Sequence, residues 1–275
     1  MRICTERREA ADIAHGAALR RPCRVHAGGY GDFADCGLVI LAAGTNQRPG
    51  ETREALLGRN RAILQSILEQ LTAVNRDAVL LVVSNPVDVL TGYTLELSGF
   101  PAERVIGSGT VLDTARIKCL LGEKLGVDSR NVHAFMLGEH GDSEVAVWSS
   151  ANISGADLDD FCLAAGIDDP ESMLASLARE VTHAAYDIIE RKGATCYGIA
   201  MAVRRIAEAI IRDEHAVLPV STLARGAYGI EGVCLGLPAV VGRSGVSRVL
   251  DLPLSRDETE RLLASAHKLK TLMEG

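Results

Sequence analysis

Two uninterrupted apolar runs, Gly37–Ala43 (GLVILAA) and Ala78–Val83 (AVLLVV), restrict what this chain can fold into. Neither alternates apolar with polar residues, so each suits a strand covered on both faces, as in a parallel sheet. Parallel strands need a long crossover between them. Residues 51–74 supply one, with Leu56, Ile63, Leu64, Ile67, Leu68 and Leu71 at helical spacing. Ser84, Asn85 and Pro86 stop the second run, and the pattern then predicts a helix over 87–98 and a short strand at Arg104–Ile106. Upstream, residues 5–19 read as a helix and Cys23–His26 as a short strand. The N-terminal half is therefore α/β.

From Gly107 onward the pattern changes. A helix is expected over 110–125 and a strand over Val132–Leu137, which leads into the loop GEHGDS. Helices at about 170–191 and 197–213 break around Gly193, and a glycine-punctuated β-rich stretch spans about 216–252. Ser255 and Glu258 have the spacing of a capping box, which satisfies orphan N–H groups where a final helix starts. This divides the chain into a nucleotide-binding part, 1–107, and a mixed α+β substrate-binding and catalytic part, 108–275.

At 275 residues, 47% of them hydrophobic, the chain can bury a core without disulfides or a structural metal. Its net charge of −7, with only short basic pairs such as Arg20–Arg21 and Arg204–Arg205, argues against nucleic acid or an anionic membrane as a partner. No apolar run approaches the roughly 18 residues of a membrane span. The seven cysteines are scattered without a CxxC, which excludes a zinc ribbon or a thioredoxin-type site. Most sit among apolar residues, as small hydrophobes in a reducing compartment. The opening MRICTERREAAD lacks the apolar core of a signal peptide, so a cytoplasmic location is expected.

Open parallel sheets commonly hold a dinucleotide, with GxGxxG between the first strand and the first helix. The one near match is Gly29-Tyr30-Gly31-Asp32-Phe33-Ala34. It fails on context: the next strand starts by Leu38, leaving no room for a helix, and Asp32 puts a negative charge where phosphates would sit. A full strand–helix–strand unit needs about 30 residues, and only a charged helix precedes Cys23. The sheet therefore reads as an incomplete Rossmann type. GxSxG, a Walker loop and HExxH, the marks of other enzyme classes, are all absent from the sequence.

Asp113 and Arg116 lie three residues apart on the helix after Gly107, and so project from one side of it. Gly138-Glu139-His140-Gly141-Asp142 presents a histidine in a glycine-flanked loop. A histidine with a carboxylate partner is a tunable proton carrier, and a neighbouring arginine can grip a substrate carboxylate with two parallel hydrogen bonds. On spacing alone, such a pair is more often a surface ion pair, and a loop histidine more often structural.

The segments GTNQRPGETR (44–53), VSNPVDVLT (83–91), VIGSGTVLDTAR (105–116), NVHAFMLGEHGDS (131–143) and GATCYGIAM (193–201) settle that ambiguity. In this order they resemble the lactate/malate dehydrogenase family, from about Glu9 to the C-terminus. The resemblance implies an NAD-dependent oxidoreductase acting on a small 2-hydroxy acid. His140 would be the acid/base, Asp113 its orienting carboxylate and Arg116 the anchor for the substrate carboxylate. Arg53, on the family's mobile lid, would polarise the substrate carbonyl, Asn85 would bond the substrate oxygen, and Thr195 would line the pocket. Gln47 stands where an arginine pairs the second carboxylate of oxaloacetate in malate enzymes; a neutral residue suits pyruvate and lactate, with malate as the alternative. Tyr30, Gly44, Thr45, Ser66, Val83, Asn85 and Ser108 would contact NAD. Lys118 and His133 stand where related bacterial enzymes place an arginine and a histidine in a site for fructose 1,6-bisphosphate between subunits; the lysine keeps the charge but loses the bidentate geometry, and solvated surface residues are the plainer reading. Lys118, two residues past Arg116, points away from the active site. The resemblance also implies a homo-oligomer, commonly a tetramer.

Family members begin with a strand, GxGxxG, a helix and a second strand ending in an acid that holds the adenosine ribose. This chain starts just after that acid is due. The missing strands would lie beside the strand ending at Ala43, so their loss exposes apolar surface and an unpaired edge. Either the chain start is placed too late, or the chain is truncated and serves as a subunit or interaction partner. For the polypeptide as written, weak NADH binding and little activity are expected.

Overall fold

The computed structural model describes residues 2–17, 19, 23–45, 53–193 and 195–274. In chain order the elements are α1 (Arg2–Ala17), β1 (Leu38–Leu41), α2 (Arg53–Thr72), β2 (Val79–Val82), α3 (Val87–Ser98), β3 (Val105–Gly107), α4 (Val111–Leu125), β4 (Val132–Leu137), β5 (Val145–Ile153), β6 (Ala156–Asp157), α5 (Leu158–Ala164), α6 (Pro170–Lys192), α7 (Tyr197–Ile211), β7 (Ala216–Arg225), β8 (Glu231–Gly242), β9 (Gly245–Val249) and α8 (Arg256–Glu274). A six-stranded sheet runs β1-β2-β3-β7-β8-β9, and a three-stranded sheet runs β4-β5-β6.

The two apolar runs become β1 and β2. They pair in parallel, and β2 pairs in parallel with β3, so all three strands end at the same edge of the sheet. Every residue of β2 is buried, as a strand covered on both faces demands. Leu64, Leu68 and Leu71 of α2 are buried with Leu80, Val82 and Leu90 in one core cluster. Each such leucine contributes about 1.5–3 kcal/mol by leaving water. Beyond β3 the sheet turns antiparallel through Gly107 opposite Ser221, and β7, β8 and β9 form a meander. The glycine-rich stretch is thus part of the same sheet as the parallel strands.

Four expectations need correction. Cys23–His26 is not a strand: residues 23–29 have no regular structure. A strand exists only through hydrogen bonds to a neighbour, and β1, the end strand of its sheet, pairs only with β2 among the described residues. The β1 run is also not covered on both faces as expected: Val39 and Leu41 are buried, while Ile40 on the opposite face is 45% exposed. The reading also passed over β5, a nine-residue strand directly after the GEHGDS loop. Finally, of the described cysteines only Cys162 and Cys234 are buried, while Cys23, Cys119 and Cys196 are exposed.

The rejected near match at Gly29–Ala34 is a 3-10 turn over Tyr30–Phe33, not a strand-to-helix loop. The Gly29 N–H donates to Asp32 Oδ2 at 2.7 Å, so the Asp32 carboxylate takes a donor that a phosphate would need. The capping pair does form: the Ser255 N–H donates to Glu258 Oε2 at 2.8 Å and the Glu258 N–H to Ser255 Oγ at 3.2 Å. No described helix is long and apolar enough to cross a membrane.

Candidate active site

The site forms where α4 starts beside the end of β4. Thr110 Oγ1 donates to the Met136 carbonyl at 2.6 Å, and the Met136 N–H donates to Thr114 Oγ1 at 2.9 Å. These bonds tie the first turn of α4, which carries Asp113 and Arg116, to the strand that delivers the GEHGDS loop. Gly138 opens that loop with φ +93, where a Cβ would stand 2.8 Å from Ser265 Oγ, so only glycine lets the chain turn here. Its backbone pairs with Gly236 of β8 through bonds of 2.9 and 2.8 Å.

The loop is held from two further sides. The Glu139 N–H donates to Ser265 Oγ on α8 at 2.8 Å, and the Glu139 carboxylate meets Lys268 Nζ at 2.6 Å. The His140 N–H donates to Asp88 Oδ2 on α3 at 2.7 Å. Asp88 is fully buried, and burial pushes its pKa up to about 6. Asp88 is a positioning residue that sequence reasoning missed.

The imidazole and its neighbours then fall into line. His140 Nδ1 lies 2.6 Å from Asp113 Oδ2, and Asp113 Oδ1 accepts from an Arg116 guanidinium nitrogen at 2.8 Å. The Asp113 side chain is 3% exposed, against 23% for His140 and 17% for Arg116, so the carboxylate sits beneath two half-open cations. Burial alone would raise the Asp113 pKa, but the charges and hydrogen bonds of His140 and Arg116 hold it below the ordinary value. For His140, burial works toward the neutral ring; the Asp113 charge and hydrogen bond override it and raise the pKa to about 9. At neutral pH this is an imidazolium with Asp113 on one ring nitrogen and the other free for a substrate.

The remaining expected residues surround the ends of the parallel strands. Gly44 and Thr45 follow β1, Val83 and Asn85 follow β2, and Ser108 follows β3, so they gather at one carboxyl edge, where open α/β sheets take ligands. Asn60 of α2 ties this edge down, accepting from the Thr45 N–H at 2.9 Å. A Cβ at position 44 would come within 3.3 Å of the Ser84 Cβ, so glycine keeps the gap between the β1 and β2 ends open. These positions fit the approach of a dinucleotide's nicotinamide end. Among the described residues no glycine-rich strand-to-helix turn is present for the pyrophosphate. Asn85 is exposed before a cis peptide to Pro86, Ser66 is exposed on α2, Tyr30 is half-buried in its 3-10 turn, and Thr195 is half-buried ahead of α7. Gln47 and the Arg53 side chain lie outside the described residues. Lys118 and His133 come together, away from His140, in a cleft of 430 Å³ with Arg130 and Arg205.

A family model for the lactate/malate dehydrogenase NAD binding domain matches residues 5–107, and one for the family's alpha/beta C-terminal domain matches residues 110–275. The chain belongs to the lactate/malate dehydrogenase family. An L-lactate dehydrogenase of Clostridium perfringens is 48% identical over 262 residues, covering 95% of this chain and 83% of that protein. One from Streptococcus gordonii is 50% identical over 266 residues, covering 97% of this chain and 81% of that protein. Among solved structures, the minor L-lactate dehydrogenase from Enterococcus mundtii in its ligands-bound form superposes with a TM-score of 0.93 at 42% identity, covering 97% of this chain and 85% of that one. A lactate dehydrogenase from a Medee basin deep-sea metagenome gives 0.95 at 42% identity, covering all of this chain and 88% of that one. Membership fixes the α/β fold and the NAD-binding character of the N-terminal part of this dehydrogenase-family chain.

Proposed function

We propose that this chain is an NAD-dependent L-lactate dehydrogenase, interconverting L-lactate and pyruvate. The observation that carries this is the buried Asp113 carboxylate joining His140 at 2.6 Å to Arg116 at 2.8 Å. When bound, the nicotinamide supplies or accepts the hydride at substrate C2. His140 gives its proton to the C2 oxygen as the carbonyl is reduced and takes it back from the hydroxyl in the reverse direction. Asp113 stabilises the imidazolium and fixes the ring. Arg116 offers its remaining N–H donors to the substrate carboxylate as a planar fork. Arg53, Asn85 and Thr195 complete the pocket, with Gly44, Thr45, Ser66, Val83, Ser108 and Tyr30 toward the cofactor. The direct test is pyruvate-dependent NADH oxidation by this chain and by a version extended N-terminally to the length of its relatives. Turnover in either supports the reading; none in both overturns it.

Gln47 decides between pyruvate and oxaloacetate in this proposal. A neutral side chain leaves the second carboxylate of oxaloacetate unpaired in a closing site, which is costly. Gln47→Arg is expected to raise the oxaloacetate-to-pyruvate ratio of kcat/KM by at least tenfold; an unchanged ratio contradicts the assignment.

We further propose a division into a cofactor-binding part, 1–107, and a catalytic part, 108–275, a cytoplasmic location and a homo-oligomeric assembly, all supported by the family resemblance. The Lys118–His133 cleft, with Arg130 and Arg205 on its wall, is an anion-attracting surface that suits fructose 1,6-bisphosphate. Burial lowers the Lys118 pKa, and an anionic ligand would restore its preference for the charged form. The sugar bisphosphate is expected to lower the KM for pyruvate; a flat titration disposes of the effector.

A further inference from the structure

One buried acid beside the proton carrier has no place in the mechanism above. Glu144 closes the GEHGDS loop at the start of β5 and is 6% exposed. One carboxylate oxygen of Glu144, one of Asp113 and a ring nitrogen of His140 all lie within 4.8 Å of one another. Thr182 Oγ1 of α6 donates to Glu144 Oε1 at 2.9 Å, which joins a helix remote in sequence to the acid/base pair. The groups around this cluster are Asp113 and Arg116 from α4, His140 from the loop, and Asp88 from α3, which faces His140. On its other side Glu144 lines a cleft of 730 Å³. There Asp142, Asp159, Glu171 and Asp257 outnumber Arg179 and Arg261, with His183 beside them, so the cleft is net acidic and works with Asp113 against an early ionisation of Glu144.

We propose that Glu144 is a positioning residue acting through His140: its buried carboxyl supplies a second negative charge, in alkaline solution, that keeps the imidazole protonated beyond what Asp113 alone achieves. Two carboxylates this close, with Asp113 already ionised, do not both carry charge easily. Burial and the Asp113 charge accordingly push the Glu144 pKa up to about 8. Below that pH Glu144 is neutral and leaves the pair undisturbed. Above it the carboxyl ionises, in the range where His140 starts to lose its proton. The new charge opposes that loss, and the Thr182 hydroxyl favours the ionised form.

The inference rests on the acid/base reading of His140, yet its test needs no turnover. The imidazole of the unliganded full chain can be titrated by NMR, with the His140 signal assigned by its loss in His140→Gln. Wild type is expected to titrate near pH 9. Glu144→Gln keeps the shape without the charge, and is expected to lower that midpoint by about half to one unit while the amide spectrum stays native. Thr182→Val, which removes the hydroxyl that favours ionised Glu144, is expected to lower it by a smaller amount. Coincident midpoints in wild type and both folded variants overturn the role of Glu144. A wild-type midpoint near an ordinary histidine's would instead strike at the Asp113–His140 reading itself.

Discussion

His140→Gln is expected to cut kcat for pyruvate reduction by about 10²–10⁴-fold, the usual contribution of a positioned acid/base, while leaving the Kd for NADH near its wild-type value. Glutamine can still donate a hydrogen bond to the substrate oxygen, but it cannot hand over a proton. The pH profile sharpens the expectation. Because Asp113 holds the imidazole pKa at about 9 against the opposing effect of burial, pyruvate reduction should be level through neutrality and fall as pH rises past that value. Lactate oxidation, which needs the neutral ring, should rise over the same interval, and His140→Gln should abolish both limbs. The raised pKa also bears on stability. The native fold favours the charged ring, so its contribution is full below the ordinary histidine value of 6.5 and is lost as pH climbs through 9. A Tm series across pH 6–10 should show this loss in wild type and a smaller one in His140→Gln. A variant retaining wild-type kcat would remove His140 from the chemistry.

Arg116→Leu should cost about 3–5 kcal/mol in transition-state stabilisation, two to four orders of magnitude in kcat/KM for pyruvate. Two losses combine. The substrate carboxylate loses its fork, and Asp113, almost fully buried, loses the cation 2.8 Å from its second oxygen. Arg116→Lys separates them, since lysine restores a charge but not the planar pair of donors. It should recover part of the loss and remain at least tenfold below wild type, with the deficit mainly in KM. Kinetics of Arg116→Leu within threefold of wild type would mean that the guanidinium does not hold the substrate.

Much of the architecture was legible because the decisive signals are local. The unbroken apolar runs became strands, β2 covered on both faces as expected and β1 not, and α3 and β4 fall where the pattern placed them, Val87–Ser98 and Val132–Leu137. The Cys23–His26 reading failed because strand identity depends on a partner, which no window of sequence reveals. The β5 strand was missed because Val145–Ile153 is buried at its start and only partly alternating, so it reads as loop. The residues proposed for the acid/base step were picked out through motif resemblance, not spacing. Asp88 and Glu144 escaped because nothing local marks them. Asp88 resembles any acidic residue in a first helical turn, until the loop 52 residues later brings the His140 N–H to its carboxylate. Glu144 resembles a surface acid, until α6 closes over it with Thr182.

The N-terminal edge carries the same lesson at a larger scale. The free edge of β1 offers donors and acceptors that no other described strand takes up, and Ile40 on one of its faces is 45% exposed. The His140–Asp113–Arg116 cluster lies downstream of it, on elements that brace one another through Thr110, Ser265 and Asp88.

Following an isotope from cofactor to substrate is the most direct measurement. Pyruvate is incubated with NADH carrying deuterium at both hydrogens of nicotinamide C4, using this chain and its N-terminally extended version, and the product is read by NMR. Deuterium appearing at C2 of L-lactate is the expected result. Unconverted pyruvate with both proteins, or lactate carrying no deuterium at C2, would contradict hydride delivery at the His140–Asp113–Arg116 site.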